Sequence, residues 1–117
     1  VSKGGKTGIS IFSSRKYILP FELSLMERHP LGSQCFIPMS AEPFLVIVSP
    51  DKNGRPERPS AFITNGQQGI NYKQNVWHSV LTPLGEENLF AVIDRIGSGK
   101  NVEEFIFGKP WIVKLNK

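Results

Sequence analysis

The sequence predicts an all-β domain of short antiparallel strands, arranged as a sandwich or barrel. Three observations predict it. Short apolar runs rich in Ile, Val and Phe recur along the chain, among them GISIF (8–12), FLVIVS (44–49) and LFAVIDRI (89–96). Turn-forming residues separate them, the punctuation expected of strands joined by tight connections. No segment sustains the 3.6-residue period of a helix.

The elements follow in order. After the run at 8–12, Pro20 opens FELSLMERH (21–29). There Phe21, Leu23 and Leu25 alternate with Glu22, Ser24 and Met26, which predicts a half-buried strand. On that parity Glu27 and His29 continue the apolar face and Arg28 turns away, so an acid and an imidazole finish an inward face. Pro30 and Gly32 then break the chain before QCFIP (34–38) and FLVIVS (44–49). The stretch 49–59 reads as a loop around the turn pair Asn53-Gly54. Strands are expected at 61–64 and 70–72, either side of the turn NGQQG (65–69), then at 76–81 and 89–96, and more weakly at 102–107 and 111–115. Within 76–81, Trp77 and His78 fall on opposite faces, and Trp77 read by itself is core packing. Asp94 and Arg95 also point apart, and read as a surface ion pair or a turn start.

Size and composition bound the function. The chain has 117 residues, 39% of them hydrophobic, with a formal net charge of +4, which suits one domain spanning 1–117. Basic residues are scattered apart from loose clusters at 3–6, 52–58 and 109–117, and no nucleic-acid reader motif accompanies them, so no nucleic-acid partner is expected. The one cysteine, Cys35, cannot form an intrachain disulfide and reads as a buried structural thiol. No run approaches the ~20 apolar residues of a membrane-spanning helix. The opening VSKGGKTG has no apolar signal core. The expectation is a cytoplasmic protein with no membrane partner. The nucleophile elbow, HExxH, CxxC and dinucleotide fingerprints are missing, and Gly97-Ser98-Gly99 lacks the Lys-Ser/Thr of a phosphate loop.

Three separated blocks, ERHPLGSQCFIPM (27–39), AFITNGQQGINYKQNVWHSVL (61–81) and FAVIDRIGSG (90–99), together closely resemble the ureidoglycolate lyase family. The resemblance runs from about Gly8 to about Phe107. It implies a cupin-like antiparallel β-barrel of the double-stranded β-helix or jelly-roll type. It also implies a homodimer that cleaves ureidoglycolate to glyoxylate and urea, and in some members nickel stimulates the reaction. Family members carry roughly 40–50 residues more at the N-terminus, so a family segment is expected to be missing here. The usual cupin metal pattern, His-x-His followed by Glu and a later His, appears as Glu27-x-His29, then Gln34, with Tyr72 where a histidine is expected and His78 six residues on. His29 and His78 are the candidate ligands for a divalent metal such as nickel, with Glu27 beside them; no cofactor is expected to be obligatory.

Cleaving ureidoglycolate calls for a base toward the hydroxyl proton and an acid toward the departing nitrogen. His78 or His29 suits the base, because imidazole titrates near working pH. Glu27 can orient that imidazole or act itself if burial raises it, and Tyr72 is a candidate proton donor. Asn71, Trp77, Gln34 and Arg95 are candidate substrate contacts, with Arg28 and Lys73 as further carboxylate binders disfavoured by parity. Two other readings stand beside the lyase: a non-catalytic cupin that binds a small organic acid, and a cupin isomerase or epimerase. A space sealed by bulky apolar side chains would favour the non-catalytic binder.

Overall fold

A computed structural model describes residues 4–116, and every regular element among them is a β-strand. The strands are β1 (Gly5–Ser13), β2 (Phe21–Arg28), β3 (Gln34–Pro38), β4 (Phe44–Ser49), β5 (Asp51–Lys52), β6 (Arg55–Pro56), β7 (Ser60–Ile63), β8 (Ile70–Tyr72), β9 (Trp77–His78), β10 (Thr82–Pro83), β11 (Leu89–Gly97) and β12 (Glu103–Val113). The run at 76–81 forms only the two-residue β9, and the two weak runs near the C-terminus join into β12. The loop at 49–59 contains the hairpin β5–β6, because Asn53 and Gly54 take φ of 53° and 84°. A two-residue turn with positive φ at both positions matches the twist of the strands it joins.

Two antiparallel sheets carry the architecture. The first has the order β1-β11-β3-β8 and the second β10-β4-β9-β2-β12, with β7 on the free side of β4. They face one another across a core of Phe36, Tyr72, Phe90 and Val92 from the first sheet and Phe44 and Val46 from the second. Phe44 meets Phe90 edge to face at 5.2 Å. This is a cupin-like all-β arrangement of two layers; among the described residues no single ladder closes them into a continuous barrel. The alternate residues Leu45 and Ile47 join Leu23, Met26 and Trp77 in a second apolar cluster on the other face of the second sheet. β4 is therefore buried on both sides, the reason its sequence is an unbroken apolar run.

β2 departs from simple alternation. Its pairing with β12 runs regularly from Arg28↔Glu103 to Leu25↔Ile106, then resumes at Leu23↔Trp111, so residues 107–110 stand against Ser24 alone. A bulge of this kind changes which face each side chain takes. Met26, expected to face outward, is fully buried beside Leu23, whereas Leu25 is half-buried opposite the exposed Ile106. Glu27 thus lies on the side facing the first sheet, as expected, but it does not share that side with Leu23.

Candidate active site

Strand register assembles the site. Glu27 lies opposite His78, while Gln34 lies opposite Tyr72 on one side and Asp94 on the other. Directly paired residues project to the same face, so each sheet presents a polar group at its inner surface. The groups meet between the layers. The Tyr72 ring stacks on His78 with centroids 4.1 Å apart and planes within 8°, and the His29 ring lies 5.1 Å from that of His78. One potential ligand atom from each of Glu27, His29 and His78 lies within 4.8 Å of the others.

His29 sits just past β2, and the turn after it is held from both sides. Asn101 accepts His29 Nδ1–H at its carbonyl and Leu31 N–H at its Oδ1, both at 2.8 Å. Asn75, in the left-handed conformation with φ of 68°, donates its backbone N–H to the His29 carbonyl at 2.9 Å. Pro30 and Gly32 therefore end the strand inside a braced turn, and the imidazole is fixed relative to β9.

The electrostatics divide the roles. His78 is 1% exposed, and burial pulls it down to about 4. Its Nδ1–H donates to the Ser79 carbonyl at 2.8 Å, which leaves Nε2 a buried lone pair with no hydrogen-bond partner among the described residues. Burial raises the Glu27 carboxyl, opposed by His29, whose Nε2 is 3.8 Å away, and reinforced by Glu104 across the ladder. Burial also pushes the Tyr72 hydroxyl upward.

Gln34 explains more than its sequence position suggested. Its amide nitrogen donates to Asp94 Oδ2 at 3.1 Å, which turns its Oε1 toward His29 Nε2, also at 3.1 Å. With His29 Nδ1–H already donated to Asn101, a neutral ring would set a lone pair against a lone pair. A proton on Nε2 resolves this, as would a cation held by these residues. Both imidazoles give Nδ1–H to backbone carbonyls and keep Nε2 toward the cluster, the orientation found in histidine metal ligands. Two imidazoles, a carboxylate and an amide oxygen suit a borderline divalent ion, so the donor set fits one.

Three expected substrate contacts lie away from this cluster. Asn71 pairs with Cys35, and its side chain is exposed on the outer face, because it alternates with the inward Tyr72. Trp77 alternates with His78, and its Nε1–H donates to Asp51 Oδ1 at 3.0 Å within the second apolar cluster. Arg95 alternates with Asp94; it packs against Gly5 and Gly32 and donates to the Ser98 carbonyl at 2.7 Å. Arg28 is also elsewhere, stacked on Trp77 and paired with Asp51 and Glu103. Cys35 is half-buried rather than buried. Asp94 is the member that sequence reasoning missed; its parity with the inward Phe90 and Val92 was the available signal. Asn101 left no signal, because its role depends on a loop contact distant in sequence.

The chain as a whole is similar to known proteins. The family model described as ureidoglycolate lyase matches residues 1–114. A protein named ureidoglycolate lyase from Chelativorans sp. (strain BNC1) is 52% identical over 118 residues, covering 98% of this chain and 72% of that protein. Those of the same name from Rhizobium leguminosarum bv. trifolii and Agrobacterium fabrum are 49% and 46% identical, covering 96% and 95% of this chain and 68% and 67% of their own lengths.

Proposed function

The chain belongs to the ureidoglycolate lyase family, and on that premise we propose that it cleaves ureidoglycolate to glyoxylate and urea between its two sheets, at Glu27, His29, Gln34, Tyr72 and His78. The substrate carries a hydroxyl, a carboxylate and a ureido nitrogen on one carbon. The observation that carries the mechanism is the buried, unpartnered Nε2 of His78. This lone pair takes the hydroxyl proton, and burial keeps it unprotonated at neutral pH. His29 donates its Nε2 proton to the urea nitrogen as the carbon–nitrogen bond breaks and the carbonyl of glyoxylate forms. Glu27 supports the positive charge on His29, Gln34 and Asp94 fix that ring's donor direction, and the stacked Tyr72 holds the His78 plane. Proton return from His78 to His29 resets the pair.

The proposal includes no obligatory cofactor. Glu27, His29 and His78, with Gln34 beside them, would hold a divalent ion such as nickel, which would supply fixed positive charge toward the substrate carboxylate and the forming carbonyl. A purely binding cupin gains nothing from an unpaired buried imidazole nitrogen, whose desolvation is costly. The homodimer belongs to the same proposal. Its support is an apolar stripe on the outer face of the first sheet, where Ile9 and Ile11 are 72% and 58% exposed, with Ile37 and Leu89 nearby. A cytoplasmic location is likewise proposed, with the free thiol of Cys35 as its support. Among the described residues no helix is long and apolar enough to cross a membrane.

The test is release of urea and glyoxylate from ureidoglycolate by the purified chain, with and without chelator. Turnover is expected in both conditions, and His78→Ala should lower kcat by about 10²–10⁴-fold. No product from the wild type in either condition would sink the assignment. Wild-type turnover in His78→Ala would remove that residue from the mechanism.

A further inference from the structure

On the opposite face of the second sheet lies a groove of about 430 Å³, within the size range of small-ligand sites. Two features of the chain build one wall each. The hairpin β5–β6 supplies Lys52 and Arg55, with Arg58 just beyond it; the bulged stretch of β12 supplies Gly108 and Lys109, flanked by Phe105 and Trp111. Asp51 anchors the hairpin by accepting Trp77 Nε1–H at 3.0 Å and pairing with Arg28 at 2.9 Å. Phe105 packs on Trp77, which alternates with His78, so the groove is separated from the site between the sheets by the sheet itself.

Its chemistry is specific. Four cations and one carboxylate, Glu57, line it, and none of these five takes part in an ion pair among the described residues. Arg55 lies over the Phe105 ring at 5.0 Å and Arg58 over the Trp111 ring at 5.7 Å, which orders both guanidinium groups and leaves their N–H edges for a ligand. Trp111 is 39% exposed, so an indole surface remains for stacking. Like charges gathered beside exposed aromatic faces repel one another unless an anion joins them.

We propose that this groove binds a small phosphorylated ligand with a planar ring, of the nucleotide class, independently of the lyase site. The phosphate lies among Arg55, Arg58 and Lys109, matched by guanidinium forks, and the ring stacks against Trp111. Neither the ring nor the phosphate alone uses both halves of the groove.

The experiment is titration of the whole chain with adenosine monophosphate at low salt, followed by tryptophan fluorescence and calorimetry, with adenosine and inorganic phosphate as separate arms. Saturable binding of the nucleotide is expected, with each fragment about tenfold weaker or more. Arg58→Ala should weaken the nucleotide about tenfold. A Cβ at Gly108 meets nothing within 4 Å, so Gly108→Glu places a negative charge in the groove without disturbing the fold and should abolish binding. Ureidoglycolate turnover should be unchanged in both variants. Non-saturable binding, equal affinity for nucleotide and phosphate, or undiminished affinity in Gly108→Glu would each overturn the proposal.

Discussion

Acidification should destabilise the fold through His78, by an amount the structure sets. The ring is 1% exposed, and burial lowers it from 6.5 to about 4. The folded group refuses a proton that the unfolded one accepts. Between about pH 6.5 and pH 4 the unfolded chain binds more protons, so stability falls as pH falls through that window and levels off below it. At about pH 5 the linkage amounts to ~2 kcal/mol relative to about pH 7.5, and moving the folded value by a unit changes this by only ~0.4 kcal/mol. Glu27 acts with the opposite sign: its carboxyl is raised by burial, so its share is present below the unfolded value and lost as pH rises through the folded one. Asp51, lowered mainly by the hydrogen bond from Trp77, loses its share only as pH falls below the ordinary aspartate range. His78→Phe isolates the imidazole, since it keeps a planar ring against Tyr72 and cannot titrate. Urea denaturation of both proteins in chelator should show the wild type losing ~2 kcal/mol more than the variant between the two pH values. Parallel losses would refute the attribution of the low value to His78 burial.

Two further tests address packing and assembly. Met26→Ala should cost about 2–5 kcal/mol in urea denaturation, because the side chain is fully buried, whereas the exposed Met39→Ala should stay within ~0.5 kcal/mol; equal effects would contradict the burial of Met26 in the second apolar cluster. Ile9→Glu combined with Ile11→Lys should convert a dimer to a monomer in light scattering, and a variant that still dimerises would place the interface elsewhere than the outer face of the first sheet.

Much of this was legible. The apolar run 44–49, the Asn53-Gly54 turn and the short strands with turns between them are local features, and local physics reads them. Glu27, His29 and His78 were legible as candidates because acids and imidazoles are conspicuous at the ends of apolar strands. The irregular pairing of β2 with β12 was not, although a glycine and a proline inside residues 107–110 hint at a bulge. That irregularity put Leu23 beside Met26 in the second apolar cluster and left Leu25 half-buried on the opposite face. The basic residues at 52–58 and 109–117 read in sequence as two separate loose clusters; a hairpin and a bulge make them two walls of one groove.

By itself the sequence determined the class of fold, the places where strands start and stop, and which residues have the chemistry to move a proton or hold a metal. Alternation along one strand even separated Trp77 from His78 and Asp94 from Arg95. Only the tertiary structure decided which strands pair, and hence that Glu27 faces His78 while Gln34 bridges Asp94 to His29. The physical reason is range. Side-chain direction is a property of a few adjacent residues, whereas register is settled by ladders and core contacts between segments many residues apart, and the site exists only where those registers coincide.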